Sequence, residues 1–363
     1  MRQLIPLALA LAAGCASTGA PGPGAAVPPL PDRRTVVFLG DSITRQGDFL
    51  IFMESHLRRR HPGWRGRLVN AGARGETVPR ARARIGRDIA PLGPALVVVL
   101  LGMNDGGQRG LDRGRLALYV DGMERLVDEL RRSGAEVVLA TPTAVTPVSS
   151  PYNRMLAAMA AELVALGRRA NIGVIDLHHP FRRVLARCGS TRCSQLMQDA
   201  LHPGPAGHLL LADLLMARLH PCRVAPEATI RIDLAGRRAA GVSIAVPGTN
   251  VHVPAEARPA LALLEPSRRA AFLGEQRLVL EGLERRASLR VGPCCKKAGR
   301  VVELGTFTPA ELREGISLDR DGTPWVEQAA RLYRLLRQRA RVPELSGLVG
   351  RPGRYWVELN FSP

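Results

Sequence analysis

The chain has 363 residues, 46% of them apolar, so it can bury a substantial core and is long enough for about two domains. Its formal net charge of +19 is almost all arginine, because Lys296 and Lys297 are the only lysines. The excess is spread over the chain, +11 in residues 1–222 and +8 in residues 223–363, with no basic tail and no cationic stripe interleaved with aromatics. Nucleic acid is therefore not expected as a partner, whereas a weak attraction to anionic lipid headgroups or acidic polysaccharide follows from such a charge.

Met1-Arg2 gives a positive start, Leu4 to Ala13 is a short apolar stretch, and Leu11-Ala12-Ala13-Gly14-Cys15 closes it with small residues before a cysteine. The stretch is too short to span a bilayer, which takes about 20 residues, and has the form of a secretory signal. It resembles a bacterial lipobox, in which Cys15 would be lipidated and become the new N-terminus, although Ala12 stands where Leu is usual. Ala16 after it points to the outer membrane. An ordinary signal peptide with an incidental cysteine is the alternative. Residues 16–31 are Ala, Gly and Pro with almost no charge, the composition of an extended tether.

From Thr35 onward apolar runs alternate with helical stretches. Thr35–Leu39, Arg67–Asn70, Ala95–Leu101, Glu136–Ala140 and Ile172–Leu177 read as buried strands. Helices are predicted at about Asp48–Arg60, Thr77–Ile89, Asp112–Arg132, Tyr152–Arg169 and Gly207–Leu219. Such alternation implies a parallel sheet with helices on both faces, and continuous apolar runs suit strands buried on both sides. Beyond Cys222–Pro226 the runs are shorter: Ala228–Leu234, Val242–Ala245, Arg277–Leu280, Ser288–Val291, Val301–Leu304 and Tyr355–Phe361 read as strands, with one helix at Pro324–Arg339.

Four blocks carry chemistry: Gly40-Asp41-Ser42-Ile43-Thr44, Asn70 to Thr77, Gly102-Met103-Asn104-Asp105, and Asp199-Ala200-Leu201-His202-Pro203-Gly204. The first three follow predicted strands, where open parallel sheets place their functional crevice. Serine needs a base within hydrogen-bond reach to act as a nucleophile. Ser42 fills that role with His202 as base. Asp199, three residues before His202, can hold the imidazole in the useful tautomer. The backbone N–H groups of Ser42 and Gly75 and the Asn104 amide are candidate oxyanion donors. His208 lacks an acid three residues before it and reads as structural. Asp41 and Asp105 read as scaffolds for their turns. Asp176, His178 and His179 lack a further ligand pattern, so neither a metal nor a cofactor is expected.

These blocks resemble the SGNH, or GDSL-type, hydrolases, with Ser42, Gly75, Asn104 and His202 matching the four lettered positions and Asp199 the third triad member. The resemblance covers about Thr35 to His220. It implies a flavodoxin-like three-layer α/β/α sandwich and metal-independent hydrolysis of esters or thioesters through a Ser-His-Asp triad and an acyl-enzyme. The stretch Gly305–Leu312 and Thr323-Pro324-Trp325 also resembles the tail of some bacterial GDSL-type proteins. The expected organisation is a lipoprotein signal (1–15), a tether (16–31), an SGNH hydrolase domain (32–222) and a smaller β-rich accessory domain with one helix (223–363). The expected substrate is a small acyl ester, first an O-acetyl group on carbohydrate. A lysophospholipase or thioesterase acting on long chains is the alternative enzyme, and a non-catalytic glycan- or partner-binding envelope protein the alternative of another class. The expected location is the bacterial envelope, anchored to the membrane through Cys15 and facing periplasm or cell surface. Cys188 and Cys193 close a short loop before Asp199 and are the candidate disulfide; the pairing of Cys222, Cys294 and Cys295 stays open.

Overall fold

The computed structural model describes residues 26–61, 63–188, 196–220, 227–233, 242–246, 251–264, 269, 272–281, 287–293, 302–319, 323–338 and 353–361. The candidate lipid-bearing Cys15, and Cys193, Cys222, Cys294 and Cys295, lie outside the described residues.

The continuous apolar runs form a five-stranded sheet of β1 (Thr35–Gly40), β2 (Arg67–Gly72), β3 (Leu96–Leu100), β4 (Glu136–Ala140) and β5 (Gly173–Ile175). Its order is β2-β1-β3-β4-β5 and every neighbouring pair is parallel. The chain leaves β1 toward one edge to make β2 and then crosses to the other side to make β3. The sheet therefore changes direction at β1, and a crevice opens beyond its carboxyl end.

Around it run α1 (Ser42–Gln46), α2 (Asp48–Arg60), α3 (Val78–Ala83), α4 (Arg113–Arg132), α5 (Tyr152–Ala170), α6 (His178–Arg187) and α7 (Pro205–Leu219). The α/β/α architecture is the expected one. Three local details differ from the sequence reading. The helix predicted over Thr77–Ile89 stops at Ala83 and continues as a wider turn, Ile85–Ile89, and a tight one, Ala90–Leu92. Helices α1 and α6 are additional to the sequence reading: α1 is too short to show apolar periodicity, while α6 buries Phe181 and Leu185 one turn apart. Asp112 caps α4 instead of opening it, its carboxylate accepting from Arg115 N at 3.0 Å.

The C-terminal region holds β6 (Glu227–Asp233), β7 (Val242–Val246), β8 (Glu275–Glu281), β9 (Ala287–Pro293), β10 (Val302–Phe307), α8 (Pro309–Glu314), β11 (Ile316–Ser317), α9 (Pro324–Arg337) and β12 (Gly353–Phe361). Two small sheets result, β10-β9-β12-β7, which is antiparallel, and β11-β8-β6, in which β6 and β8 run parallel. A β-rich region with a long helix was expected. The short α8 is additional, fixed by a capping box between Thr308 and Glu311.

Helix α2 joins the two regions. Phe49 meets Phe38 of β1 edge-on at 5.8 Å, and on another side stacks on His208 of α7 at 5.9 Å. Phe52 packs on Tyr333 of α9 at 5.5 Å, His56 Nδ1 bonds the Phe272 carbonyl at 2.8 Å, and the fully buried Arg59 donates to the Trp325 carbonyl at 3.1 Å. Trp325 is itself fully buried, its indole N–H donating to Asp319 at 3.0 Å. Replacing Trp325 by Ala should cost about 3–5 kcal/mol of stability, the usual loss for a buried aromatic. Urea denaturation checks this, and a loss under about 1 kcal/mol would contradict the packing described.

Candidate active site

The turn after β1 sets Ser42. Asp41 has extended backbone and its carboxylate accepts from Ile43 N at 2.9 Å, capping α1 so that Ser42 becomes the first helical residue. The N–H of a first helical residue has no intrahelical partner. Ser42 Oγ lies 2.9 Å from His202 Nε2.

The segment Leu196–Gly204 that bears His202 is a tight turn closed on Asp199. Asp199 Oδ1 accepts from Leu201 N at 2.8 Å and from His202 N at 2.7 Å, while Oδ2 lies 2.8 Å from His202 Nδ1. A carboxylate only accepts, so Nδ1 carries the proton and Nε2 presents its lone pair to Ser42. Burial alone would raise the Asp199 carboxyl, but the backbone N–H groups of His202 and Leu201 and the His202 ring hold it below the usual carboxylate value. The turn is tied to its neighbours: Gln198 N donates to His202 O at 2.8 Å, Gly204 N to Leu196 O at 2.8 Å, and Thr146 N, from the loop after β4, to Ala200 O at 3.0 Å.

The loops after β2 and β3 are fastened to each other. Asn104 Nδ2 donates to Glu76 O at 2.8 Å, and Asp105 Oδ1 accepts from Val78 N at 2.9 Å. The second Asn104 amide hydrogen and the Gly75 N–H have no acceptor among the described residues. Gly75 sits at φ +61, a conformation that favours glycine, and the space where its Cβ would stand is open to within 3.8 Å of Arg80.

Behind Gly75, the Glu76 side chain is 2% exposed and meets Arg84 Nε at 2.5 Å, while Arg84 Nη2 reaches the Ala71 carbonyl of β2 at 2.5 Å. The Asn104 loop is braced from the other side, since Tyr119 donates to Leu101 O at 3.0 Å and Tyr152 donates to Met103 O. Sequence reasoning missed Glu76, Arg84, Tyr119 and Tyr152, whose partners are set by the fold and not by a local motif.

Of the remaining polar residues singled out above, Asp176 and His179 pair with each other, while the ring nitrogens of His178 and His208 have no hydrogen-bond partner among the described residues. Asp176 Oδ2 pairs with His179 Nδ1 at 2.9 Å, and its Oδ1 accepts from Thr141 Oγ1 at 3.2 Å. His208 is fully buried, and burial pushes its imidazole down to about 3. Cys188 is disulfide-bonded; its candidate partner Cys193 lies outside the described residues.

This α/β/α sheet with its crevice and hydrogen-bonded serine, histidine and carboxylate is that of a carboxylic ester hydrolase. Residues 38–210 match the model of the GDSL-like lipase/acylhydrolase family, which supports an SGNH/GDSL hydrolase domain over that segment. An acetylxylan esterase of Geobacillus stearothermophilus is 26% identical over 200 residues, spanning 49% of this chain and 90% of that protein. Among solved structures, a gut microbial diltiazem-metabolizing enzyme shares 15% identity over 93% of this chain and all of its own, with a TM-score of 0.72, so the two-part fold is shared. The acetylxylan esterase Axe2 from Geobacillus stearothermophilus aligns at 22% identity over 53% of this chain and 96% of its own, with a TM-score of 0.47.

Burial gives the site a measurable pH signature. It pushes the Asp41 carboxyl up to about 7, against the lowering effect of Ile43 N–H and His202, while the nearby Asp105 carboxylate adds to the rise. The fold thus favours protonated Asp41. That contribution is complete below the ordinary value of 3.8 and is lost as pH rises through about 7. Asp41→Asn keeps an acceptor for Ile43 N–H and cannot ionise. It should be more stable than wild type at pH 8 by about 2–4 kcal/mol, the two converging below about pH 4. Urea denaturation at both pH values checks this, and a difference that does not change with pH would contradict it.

Proposed function

We propose that this protein hydrolyses small acyl esters, O-acetyl groups on carbohydrate first, through a Ser42–His202–Asp199 triad and an acyl-enzyme. The observation that carries the reading is the continuous chain from Ser42 Oγ through His202 to Asp199, with links of 2.9 and 2.8 Å. Ser42 Oγ attacks the acetyl carbonyl carbon as His202 Nε2 takes its proton. Asp199 stabilises the imidazolium without taking its proton. Negative charge builds on the carbonyl oxygen, and the N–H groups of Ser42, Gly75 and Asn104 receive it. His202 then returns the proton to the departing sugar oxygen, leaving acetyl on Ser42. Water, activated by the same imidazole, releases acetate and restores the serine.

Support for an acetylated carbohydrate comes from the similarity to an acetylxylan esterase along nine-tenths of that protein's length. The proposed place of action is the bacterial envelope, outer membrane or cell surface, with a lipid on Cys15 as the anchor. Its support is the sequence alone: the apolar stretch ending in Ala13-Gly14-Cys15 and the uncharged tether behind it.

Turnover of p-nitrophenyl esters from two to sixteen carbons tests the reading. Acetate should be the best acyl group. Ser42→Ala and His202→Ala should each lower kcat by on the order of 10⁴-fold or more. Asn104→Ala should lower kcat by about 10²–10³-fold with KM little changed, because an oxyanion donor acts in the transition state. A Ser42→Ala enzyme keeping more than about a tenth of the wild-type rate would remove Ser42 as nucleophile.

A further inference from the structure

The segments that carry the reacting groups also carry clustered guanidinium groups. Arg45, Arg74, Arg80, Arg109, Arg115 and Arg154 stand on the chain that follows β1, β2, β3 and β4, at the crevice edge of the sheet, and all six are exposed. Three lie beside these loops. Arg80 Nη1 donates to the Gly75 carbonyl at 3.2 Å. Arg115 Nη1 lies 2.9 Å from where a Cβ on Gly107 would stand, and Arg154 Nη2 lies 4.0 Å from the same point on Gly110. Both guanidiniums thus rest against the loop that runs on from Asn104. Arg109 lies between those two glycines in the chain, Arg74 adjoins Gly75, and Arg45 sits on α1 three residues beyond Ser42.

Negative charge on the same segments is mostly engaged or hidden. Asp41 and Glu76 are buried, Asp112 caps α4 and meets Arg115 at 3.6 Å, and Asp199 holds His202. Elsewhere on the catalytic domain Arg125 meets Asp121 at 3.1 Å, Arg169 meets Glu124 at 2.6 Å and Arg87 meets Asp88 at 2.6 Å, while Arg67, Arg132 and Arg183 have no ion pair among the described residues; what sets the crevice group apart is its place on the loops beside Ser42, Gly75 and Asn104. Arg45, Arg74, Arg109 and Arg154 have no ion pair among the described residues.

We propose that the ester this crevice cleaves is borne on a polyanionic glycan, one whose sugars carry carboxylates, and that these arginines hold the polymer while the acetyl group enters the site. The proposal rests on the esterase reading above and names the class of its substrate. Like charges gathered round a crevice raise the local concentration of an opposite polymer and steer its approach. The planar guanidinium fork matches a carboxylate in two parallel hydrogen bonds. Both effects act on the polymer's charge and not on the acyl group, and exposed pairs weaken as salt shortens the Debye length, from about 10 Å at 0.1 M to about 3 Å at 1 M. Leu111, half exposed on the Asn104 loop, makes an anionic lipid surface the competing occupant.

Unesterified polygalacturonate carries the charge without the ester and is the probe. It should inhibit p-nitrophenyl acetate turnover by the wild-type protein at about 20 mM salt, with inhibition weakening on the order of tenfold by about 500 mM. Neutral xylan should not inhibit. Arg74→Gln, Arg109→Gln and Arg154→Gln combined should weaken inhibition on the order of tenfold. The same charge loss at the opposite edge of the sheet, by Arg131→Gln, Arg132→Gln and Arg169→Gln, should change it by less than about twofold. Affinity electrophoresis in polygalacturonate gels reads the same contrast without turnover. A protein that retards in those gels yet hydrolyses no ester would therefore sink the esterase reading and leave the charge claim standing. Inhibition that salt does not alter, equal effects of the two triple variants, or inhibition by phosphatidylglycerol vesicles but not by polygalacturonate would overturn the proposal.

Discussion

The close approach of three strand ends around the turn after β1 is the constraint on which the site depends. Gly40 is level with Gly72 of β2 and Leu100 of β3. A Cβ on Gly40 would lie 2.1 Å from Thr44 Oγ1 and 2.7 Å from the Leu100 carbonyl, distances no side chain tolerates. Because that turn is pressed between its neighbours, Ser42 cannot drift along the crevice. The Gly75 loop after β2 and the Asn104 loop after β3 inherit fixed positions on either side of it. An error of about 1 Å in such a constellation can cost a hundredfold in rate, which gives the tight backbone packing a chemical consequence.

Each loop is then secured by polar contacts that do not themselves react. The Asp41 carboxylate sets the start of α1, the Asp105 carboxylate sets the start of α3, and the Glu76–Arg84 pair ties the Gly75 loop back to β2. All three carboxylates are shielded from water, and burying them unpaired would be costly. Glu76 takes an arginine, whereas Asp41 and Asp105 take one backbone N–H each, and burial raises their carboxyls to about 7 and about 6. Helix α2 extends the same frame outward, since it packs on β1 through Phe49 and holds the C-terminal region through Phe52, His56 and Arg59. The C-terminal region therefore braces the helix that leads away from the nucleophile.

The parts legible in the sequence were those where chemistry or packing restricts residue type locally. Strands buried on both faces admit only apolar runs, so all five strands of the main sheet read correctly to within a few residues. Ser42, Asp199 and His202 stood out because each sits in a short block of glycine and hydrogen-bonding residues, and the structure brings these three into one hydrogen-bonded chain. What stayed hidden depends on distant partners. Arg84 alternates with Arg80 and Arg82 in the sequence, yet it turns inward to Glu76 and Ala71. His56 and Arg59 of α2 belong to no local motif, and residues more than two hundred positions away cover them. The Thr77–Ile89 helix divides where Arg84 is drawn to β2, and Gly86, a poor helix former, lies in the wider turn that follows.

The most direct test of the account is covalent capture of the nucleophile. A fluorophosphonate probe reacts with a serine only when a base and oxyanion donors activate it. Digestion and mass spectrometry of labelled protein should place a single phosphonyl adduct on the peptide containing Ser42, and His202→Ala should abolish it. An adduct on another residue, or labelling of Ser42 that survives removal of His202, would contradict the assignment of Ser42 and His202 as nucleophile and base.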